Sequence, residues 1–313
     1  MKDNTSFLKM AAIQCVLPKP LKPPKLANKN SICYCNALLQ SLFNIDLFWN
    51  ITQNINENDS FKKIAKAFSN AYNRYFATDL FNCYNDFQPF IDVSNEDPNY
   101  SQHDPAELLM KILETYQQFR PIFKFNENED VVTSTILTID TEIQNVAEGV
   151  TKRFTSNPDD FIKAPPYICV KIERVTGTGL NTNNIQINNM LKIKFTNEDD
   201  LSEESYALES IICHRNFTPT SGHFISIVIK SNEEMYYCND QHIFNGLPEN
   251  SSMEAIQSKC YILFYKKVSH ESEEQHPEYF KMHQKTSSTK TQISSESSEP
   301  LHSQRRAQPP VFQ

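Results

Sequence analysis

The apolar positions that follow Cys33 recur every three or four residues, which predicts a helix buried on one face. They are Cys35, Leu38, Leu39, Leu42 and Phe43. Asn30 and Ser31 come shortly before Cys33, where a helix needs a capping side chain. Free amides and the helix dipole at such a position favour a thiolate over a thiol. Cys33 is therefore a candidate nucleophile.

The periodicity changes from helical to alternating along the chain. Two further helices are predicted, one over residues 61–76 and one that begins at Asp104, a natural N-cap followed by Pro105 in the first turn. The later apolar runs are short and rich in β-branched and aromatic residues, which is typical of strands. They are residues 135–139, 167–172, 185–187, 191–195, 206–213, 223–230, 235–238 and 261–265. Helices followed by strands predict an α+β fold with an antiparallel sheet rather than a βαβ array.

Composition divides the chain of 313 residues into three parts. Residues 1–20 close in a Pro/Lys stretch and are predicted to be a flexible N-terminal arm. Residues 268–313 are rich in Ser, Glu, Gln and Thr, and too few of them are apolar to offset the entropy of ordering, so we expect a disordered tail. Residues 21–267 are then expected to form one domain.

Charge and cysteine usage limit the classes of partner. The net charge of −8 disfavours nucleic acid and anionic membranes, and a basic ligand suits it better. We find neither a secretory segment nor an apolar run of membrane-spanning length, and the eight cysteines have no repeating spacing. These features predict a reduced protein of the cytoplasm, the nucleus or both. We also expect a monomer with no cofactor.

His223 is the best candidate for the base that takes the proton from the thiol of Cys33. The segment Ser221-Gly222-His223-Phe224 opens an apolar strand, and a short turn leads to a second strand that ends at Asn239 and Asp240. Adjacent hairpin strands would bring one of these two polar side chains close to the imidazole. Spacing alone leaves open a purely structural role for each of them.

Five segments, in order, resemble the motifs of the ubiquitin-specific protease family, whose members are papain-like cysteine peptidases. The first contains Cys33, and the second is similar to the family's Gln-[Gln/His]-Asp-x-x-Glu motif. The third resembles a Pro-Pro strand that ends in Arg174 and Val175, and the fourth resembles the motif around the catalytic histidine. The fifth resembles the closing pair of strands. The segments are residues 26–40, 101–109, 164–175, 206–224, and 235–240 together with 261–265.

The resemblance implies a helical thumb, an antiparallel-sheet palm and a thiol-dependent hydrolase that cleaves after the C-terminal glycine of ubiquitin. It implies that Cys33 is the nucleophile, His223 the general base and Asn239 the residue that orients the base, with Asp240 as the alternative. Asn28 would donate to the oxyanion. Gln102 and Asp104 would contact the ubiquitin tail, although Asp104 is equally explained as a helix cap.

The chain departs from the family pattern at several motif positions. Asn30 and Asn216 replace glycines, and asparagine is among the residues that best tolerate a positive φ. Ile32 replaces the threonine before the nucleophile, and Met235 replaces the tryptophan that opens the final strand pair.

A second departure is the fingers, which carry a zinc ribbon in most members. Residues 123–136 and 154–164 occupy the corresponding stretches and contain no cysteine, and the chain has no Cys-x-x-Cys pair. We therefore expect the fingers to be reduced or absent, without a zinc site of that kind.

Three functions stay open on the sequence. The first is an active deubiquitinase, and the second is a catalytically weak or inactive module that binds ubiquitin or a scaffold partner. The third is the same chemistry on another ubiquitin-like modifier. The retained cysteine, histidine and asparagine favour the first.

Overall fold

The structure is a computed structural model that describes residues 22–26, 28, 31–55, 103–126, 130–176, 179–197, 200–218, 221–230 and 234–269. All of these belong to one unit, residues 1–278. The predicted helix over 61–76, the predicted N-terminal arm and nearly all of the predicted C-terminal tail lie outside the described residues. The described helices are α1 (Cys33–Leu42), α2 (Asp46–Gln53), α3 (Pro105–Thr115), α4 (Arg120–Phe123), α5 (Val131–Thr135), α6 (Val146–Ser156) and α7 (Met253–Gln257).

The strands form one large sheet and one small pair. They are β1 (Ile136–Ile139), β2 (Tyr167–Ile172), β3 (Val175–Thr176), β4 (Gly179–Leu180), β5 (Met190–Asn197), β6 (Asp200–Thr218), β7 (Ser221–Ile229), β8 (Met235–Asn239), β9 (His242–Asn245) and β10 (Cys260–Val268). Seven strands of the large sheet follow the order β1-β2-β10-β6-β7-β8-β9, and β5 pairs with β6 beside this path. Strands β3 and β4 pair separately. The predicted α+β fold with a mostly antiparallel sheet is confirmed.

The long strand β6 organises the sheet because both of its edges are used. One edge pairs with β10 over residues 205–213. The other edge pairs with β5 over residues 200–207 and with β7 from residue 210 onward. Strands β7 and β8 are neighbours, so the sheet carries His223 and Asn239 on adjacent strands, as the hairpin pattern predicted.

One part of the sheet differs from the prediction. Strands β1 and β2 pair in parallel, and the connection between them contains α6, so this region is a single β-α-β unit. Helix α6 has only three buried residues, Val146, Gly149 and Val150, which is too few to give a clear helical period in the sequence. The predicted strand over 185–187 is wrong, because Gln186 forms only an isolated bridge with Asn145.

Helix α1 is more deeply buried than predicted. All ten of its residues are buried, whereas the sequence pattern indicated one buried face. The helix packs against β7, β6 and α3, so the core surrounds it. An element enclosed on all sides holds its first residue, Cys33, in a fixed position relative to the sheet.

An aromatic cluster occupies the region where the resemblance placed the fingers. The rings of Phe125 and Phe161 stack with centroids 5.4 Å apart, and Phe154 and Phe195 pack against Phe161 at 5.6 and 6.3 Å. The backbone amides of residues 162 and 163 both donate to the carbonyl of Phe125. Apolar packing and backbone hydrogen bonds therefore hold these segments of the described chain together.

Arg174, which lies at the end of the third motif, is buried. Its guanidinium donates to the backbone carbonyls of residues 181, 183, 257 and 260 and to the sulfur of Cys260. These contacts join the end of β2 to the start of β10.

None of the described helices is long and apolar enough to cross a membrane.

Candidate active site

Cys33 is the first residue of α1 and is only 2% exposed. The predicted cap is wrong, since the N-cap position is Ile32, which makes no side-chain capping bond. Ser31 adopts a φ of 61°, a left-handed conformation that turns the chain sharply into the helix. Asn30, the expected left-handed residue of this loop, lies outside the described residues.

The side chain of His223 is hydrogen-bonded to Cys33. His223 lies on β7 opposite Arg215 of β6. The hydrogen bond with Cys33 raises the pKa of His223 to about 9, and burial opposes this rise. The hydrogen bond with Asn239 and the nearby charges of Cys33 and Asp240 contribute to the same rise. With a pKa of about 9, the imidazole is held in its protonated form near neutral pH.

Asn239, the last residue of β8, contacts the imidazole directly. Its Oδ1 atom lies 2.6 Å from Nε2 of His223. An amide oxygen only accepts, so Nε2 carries a proton and donates it. The other ring nitrogen, Nδ1, is then the one available to the sulfur of Cys33.

Asp240 lies at the turn that follows β8 and has a φ of 52°. Its Oδ2 atom is 3.6 Å from Nε2 of His223, which is an ion-pair distance but too long for a hydrogen bond. Burial raises the pKa of Asp240, whereas hydrogen bonds from Asn36 and Asn28 and the charges of His223 and His242 oppose the rise. Asn28, an exposed residue, therefore meets the candidate site through Asp240.

A second histidine lies beside the site. His214 stacks on Phe224 with centroids 4.1 Å apart, and burial lowers the pKa of His214 to about 4. A Cβ atom on Gly222 would lie 2.1 Å from Nε2 of His214, so only glycine allows this approach next to His223. Asn216, which replaces the family's glycine, lies in β6 where the pairing with β7 becomes irregular.

Asp104 caps α3, as the sequence predicted. Its Oδ1 atom accepts from the backbone N–H of Ala106 at 2.7 Å, and its Oδ2 atom accepts from the hydroxyl of Tyr261. Both carboxylate oxygens therefore have partners within the chain. Gln102, the other predicted tail-binding residue, lies outside the described residues.

The structure thus brings together Cys33, His223, Asn239, Asp240 and Asn28. It also adds Asn36, which the sequence analysis did not single out. An asparagine on a buried helix gives no signal until its partner is known. His242, whose charge also acts on Asp240, begins the exposed strand β9. Among the described residues there is no group of three His, Cys, Asp or Glu side chains that could hold a metal ion.

A thiol, an imidazole and an amide joined in this order form the constellation for nucleophilic acyl transfer. Comparison with known families agrees with this chemistry. The family model described as ubiquitin carboxyl-terminal hydrolase matches residues 24–265. The chain belongs to the ubiquitin carboxyl-terminal hydrolase family. The matched range includes every candidate site residue and ends inside β10.

Two solved structures have a similar fold. The chain is similar to the SAGA DUB module Ubp8/Sgf11/Sus1/Sgf73 bound to monoubiquitin, with a TM-score of 0.56 and 16% identity over 85% of this chain and 74% of that chain. The same module bound to ubiquitin aldehyde matches with the same values. No curated protein sequence matches the chain. The predicted family and its fold are therefore confirmed.

Proposed function

We propose that this ubiquitin carboxyl-terminal hydrolase is an active thiol-dependent deubiquitinase, which hydrolyses the peptide or isopeptide bond after the C-terminal glycine of ubiquitin. The observation that carries the proposal is the continuous chain of side-chain contacts from Cys33 through His223 to Asn239. A decayed site would have no reason to keep all three groups in contact. The ubiquitin-bound modules that share the fold supply the substrate class.

The first half of the reaction forms a thioester. The thiolate of Cys33 attacks the carbonyl carbon of the terminal glycine of ubiquitin. The π electrons of the C=O bond move to the carbonyl oxygen, which becomes an oxyanion. The side-chain amide of Asn28 donates to this oxygen, a contact worth roughly 2.7–4 kcal/mol where such donors have been removed. The oxyanion then collapses, the C–N bond breaks, and the imidazolium of His223 gives its proton to the leaving amine.

The second half releases ubiquitin. Neutral His223 takes a proton from a water molecule, whose oxygen attacks the thioester carbon. Collapse of the second oxyanion breaks the C–S bond, and the thiolate of Cys33 leaves beside the imidazolium. Asn239 holds the ring by accepting from Nε2, so Nδ1 faces the sulfur in both halves.

Ubiquitin carrying a C-terminal vinyl sulfone tests the proposal directly. We expect a covalent adduct with the full chain, its loss in Cys33→Ala, and its retention in Cys35→Ala. Cys35 is a matched control because it lies two residues along the same helix and is also buried, and this burial raises its pKa.

Three results would contradict the proposal. Binding of ubiquitin without an adduct would indicate a non-catalytic module, and an adduct only with probes built on other ubiquitin-like modifiers would change the substrate. An adduct that persists in Cys33→Ala would exclude Cys33 as the nucleophile.

We further propose that the protein acts as a monomer in the cytoplasm or the nucleus, as its charge and cysteine usage predict. Residues 21–267 would form the catalytic domain between a flexible arm and a disordered tail. Gel filtration with light scattering tests the monomer, and limited proteolysis that trims both ends to this range tests the boundaries.

A further inference from the structure

Asn36 is an unusual residue for its position. It lies three residues after Cys33 in α1 and is only 2% exposed. Positions three apart on a helix are neighbours, so its side chain projects near that of Cys33. Asparagine is a weak helix former, and burying an amide costs free energy unless it is hydrogen-bonded. The residue therefore needs a specific partner.

That partner is Asp240, 204 positions away in the sequence. The Nδ2 atom of Asn36 donates to Oδ1 of Asp240 at 2.8 Å. The backbone N–H of Asn36 is used within the helix start, where it donates to the carbonyl of Ile32 at 3.0 Å. The side-chain bond is thus the direct link between the nucleophile helix and the turn after β8.

Asp240 connects this link to the other groups of the site. Its second oxygen, Oδ2, faces His223, and its carboxylate accepts from the side chain of Asn28. Its backbone carbonyl accepts from the N–H of Leu26 at 3.1 Å, which ties the segment before Asn28 to the same turn. One carboxylate therefore contacts the proposed base and the proposed oxyanion donor at once.

The amide of Asn28 has two hydrogens on one nitrogen. If one is donated to the carboxylate of Asp240, the other points away from it and is available to the substrate oxyanion. The orientation of this second hydrogen depends on where the carboxylate is held. The described side chain that fixes the carboxylate from the nucleophile helix is Asn36.

We propose that Asn36 is a positioning residue. It acts through Asp240 to hold the side chains of His223 and Asn28 in the correct position relative to Cys33. This inference rests on the proposed function, since it concerns the same reaction. It differs from a purely structural role, in which Asn36 would only satisfy its own buried amide.

Steady-state hydrolysis of a ubiquitin C-terminal fluorogenic amide separates the two roles. We expect Asn36→Ala to lower kcat about 10- to 100-fold while KM stays within about twofold, because misplacement of catalytic groups by about 1 Å costs up to 10²-fold. Asn44→Ala is the matched control. Asn44 is a buried asparagine just beyond the other end of α1, and it donates to the carbonyls of Glu209 and Ile229. This control should lower Tm but leave kcat unchanged below its unfolding range.

An exchange of the two side chains provides a rescue. Asn36→Asp places two carboxylates against each other, and we expect kcat to fall further than in Asn36→Ala. Adding Asp240→Asn restores one donor and one acceptor in the opposite direction. The double variant should recover at least about fivefold in kcat over Asn36→Asp alone.

An NMR titration of His223, assigned by the loss of its signal in His223→Gln, needs no ubiquitin. The titratable groups near Asp240 are His223 and His242. Without the Asn36 donor, the carboxylate of Asp240 is no longer held at its ion-pair distance from Nε2 of His223, so its charge supports the imidazolium less and the pKa of His223 falls below about 9. We expect this fall in Asn36→Ala and not in Asn44→Ala.

The outcomes are distinct. An unchanged kcat and an unchanged His223 titration in Asn36→Ala would overturn the positioning role, as would a double variant no better than Asn36→Asp. Absence of hydrolysis by the unmodified protein would overturn the proposed function instead, and the titration would still report whether Asn36 acts on His223.

Discussion

The Oδ1 atom of Asn239 lies 2.6 Å from Nε2 of His223, whereas Oδ2 of Asp240 lies 3.6 Å from the same nitrogen. The sequence left both residues open as the group that orients the imidazole. The shorter distance favours Asn239, because only it is within hydrogen-bonding range. Asp240 instead accepts hydrogen bonds from Asn36, at 2.8 Å, and from Asn28.

Replacement of Asn239 should move the alkaline limit of activity. The active form needs protonated His223, so activity persists below the His223 pKa and is lost as pH rises through about 9. Asn239→Ala removes a hydrogen bond that raises this pKa, and the alkaline limb of kcat/KM should therefore shift to lower pH. We also expect kcat to fall on the order of 10²-fold, as for other loss of acid–base alignment.

Asn245→Ala is the control for this measurement, since Asn245 is exposed at the end of β9. It should leave both the alkaline limb and kcat unchanged. An alkaline limb that stays in place in Asn239→Ala would show that Asn239 does not support the imidazolium.

His214 should make the fold sensitive to acid. Its pKa is about 4 in the folded protein, below the ordinary histidine value of 6.5, so the unfolded chain binds the proton more readily. The stability it contributes is fully present above pH 6.5 and is lost as pH falls from 6.5 to 4. The loss should be on the order of 2 kcal/mol, given about 1.4 kcal/mol for each pKa unit and the partial exposure of the ring.

Urea unfolding of the unmodified protein and of His214→Gln at several pH values between 4 and 7 measures this contribution. The difference in unfolding free energy between the two proteins should shrink as pH falls. Curves that stay parallel across this range would rule out a neutral, buried His214.

The aromatic cluster should carry a large share of local stability. Phe161 is fully buried among Phe125, Phe154 and Phe195. Phe161→Ala should lower the unfolding free energy by about 3–5 kcal/mol, because it removes a buried ring and leaves a cavity. Phe244→Ala is the matched control on an exposed strand, where 42% of the residue is accessible, and it should cost less than about 1 kcal/mol. Equal losses in chemical denaturation would mean that the cluster is not packed as described.

Restoring the family's threonine at Ile32 should destabilise this chain. Ile32 is 1% exposed within the apolar core, and its φ of −85° and ψ of 20° differ from the extended geometry in which a hydroxyl caps a helix. Ile32→Thr would therefore bury an unsatisfied hydroxyl, at a cost of about 1–3 kcal/mol. Ile32→Val keeps the branched shape and should cost about 0.5–1.5 kcal/mol. Thermal unfolding that ranks threonine above valine in stability would contradict this packing.

Much of the sheet could be predicted because its strands follow a local pattern. Residues 167–172 were predicted and observed as one strand, and the β7–β8 hairpin followed from two apolar runs around a short turn. Helix α6 and the parallel pairing of the strands that it connects could not be predicted, since only three residues of the helix are buried.

The candidate site was partly predictable for the same reason. Cys33, His223 and Asn239 lie at or near the ends of a helix and two strands whose positions the apolar pattern predicts. The apolar pattern does not single out Asn36, because the proposed role of this residue depends on its hydrogen bond to Asp240 in a distant turn. In the described part of the loop before Cys33, the left-handed residue is Ser31, which composition alone does not distinguish from its polar neighbours.

The position of β10 between β2 and β6 has a consequence for synthesis. Among the described residues, this strand is the last element of the sheet along the chain, yet it lies in the interior of the strand order. On a ribosome, strands β2 and β6 emerge well before the strand that joins them, so the sheet stays open until residue 268 has left the exit tunnel. Cys33 therefore leaves the tunnel long before the sheet that carries His223 is complete, because the sheet is complete only after nearly the whole domain has been translated.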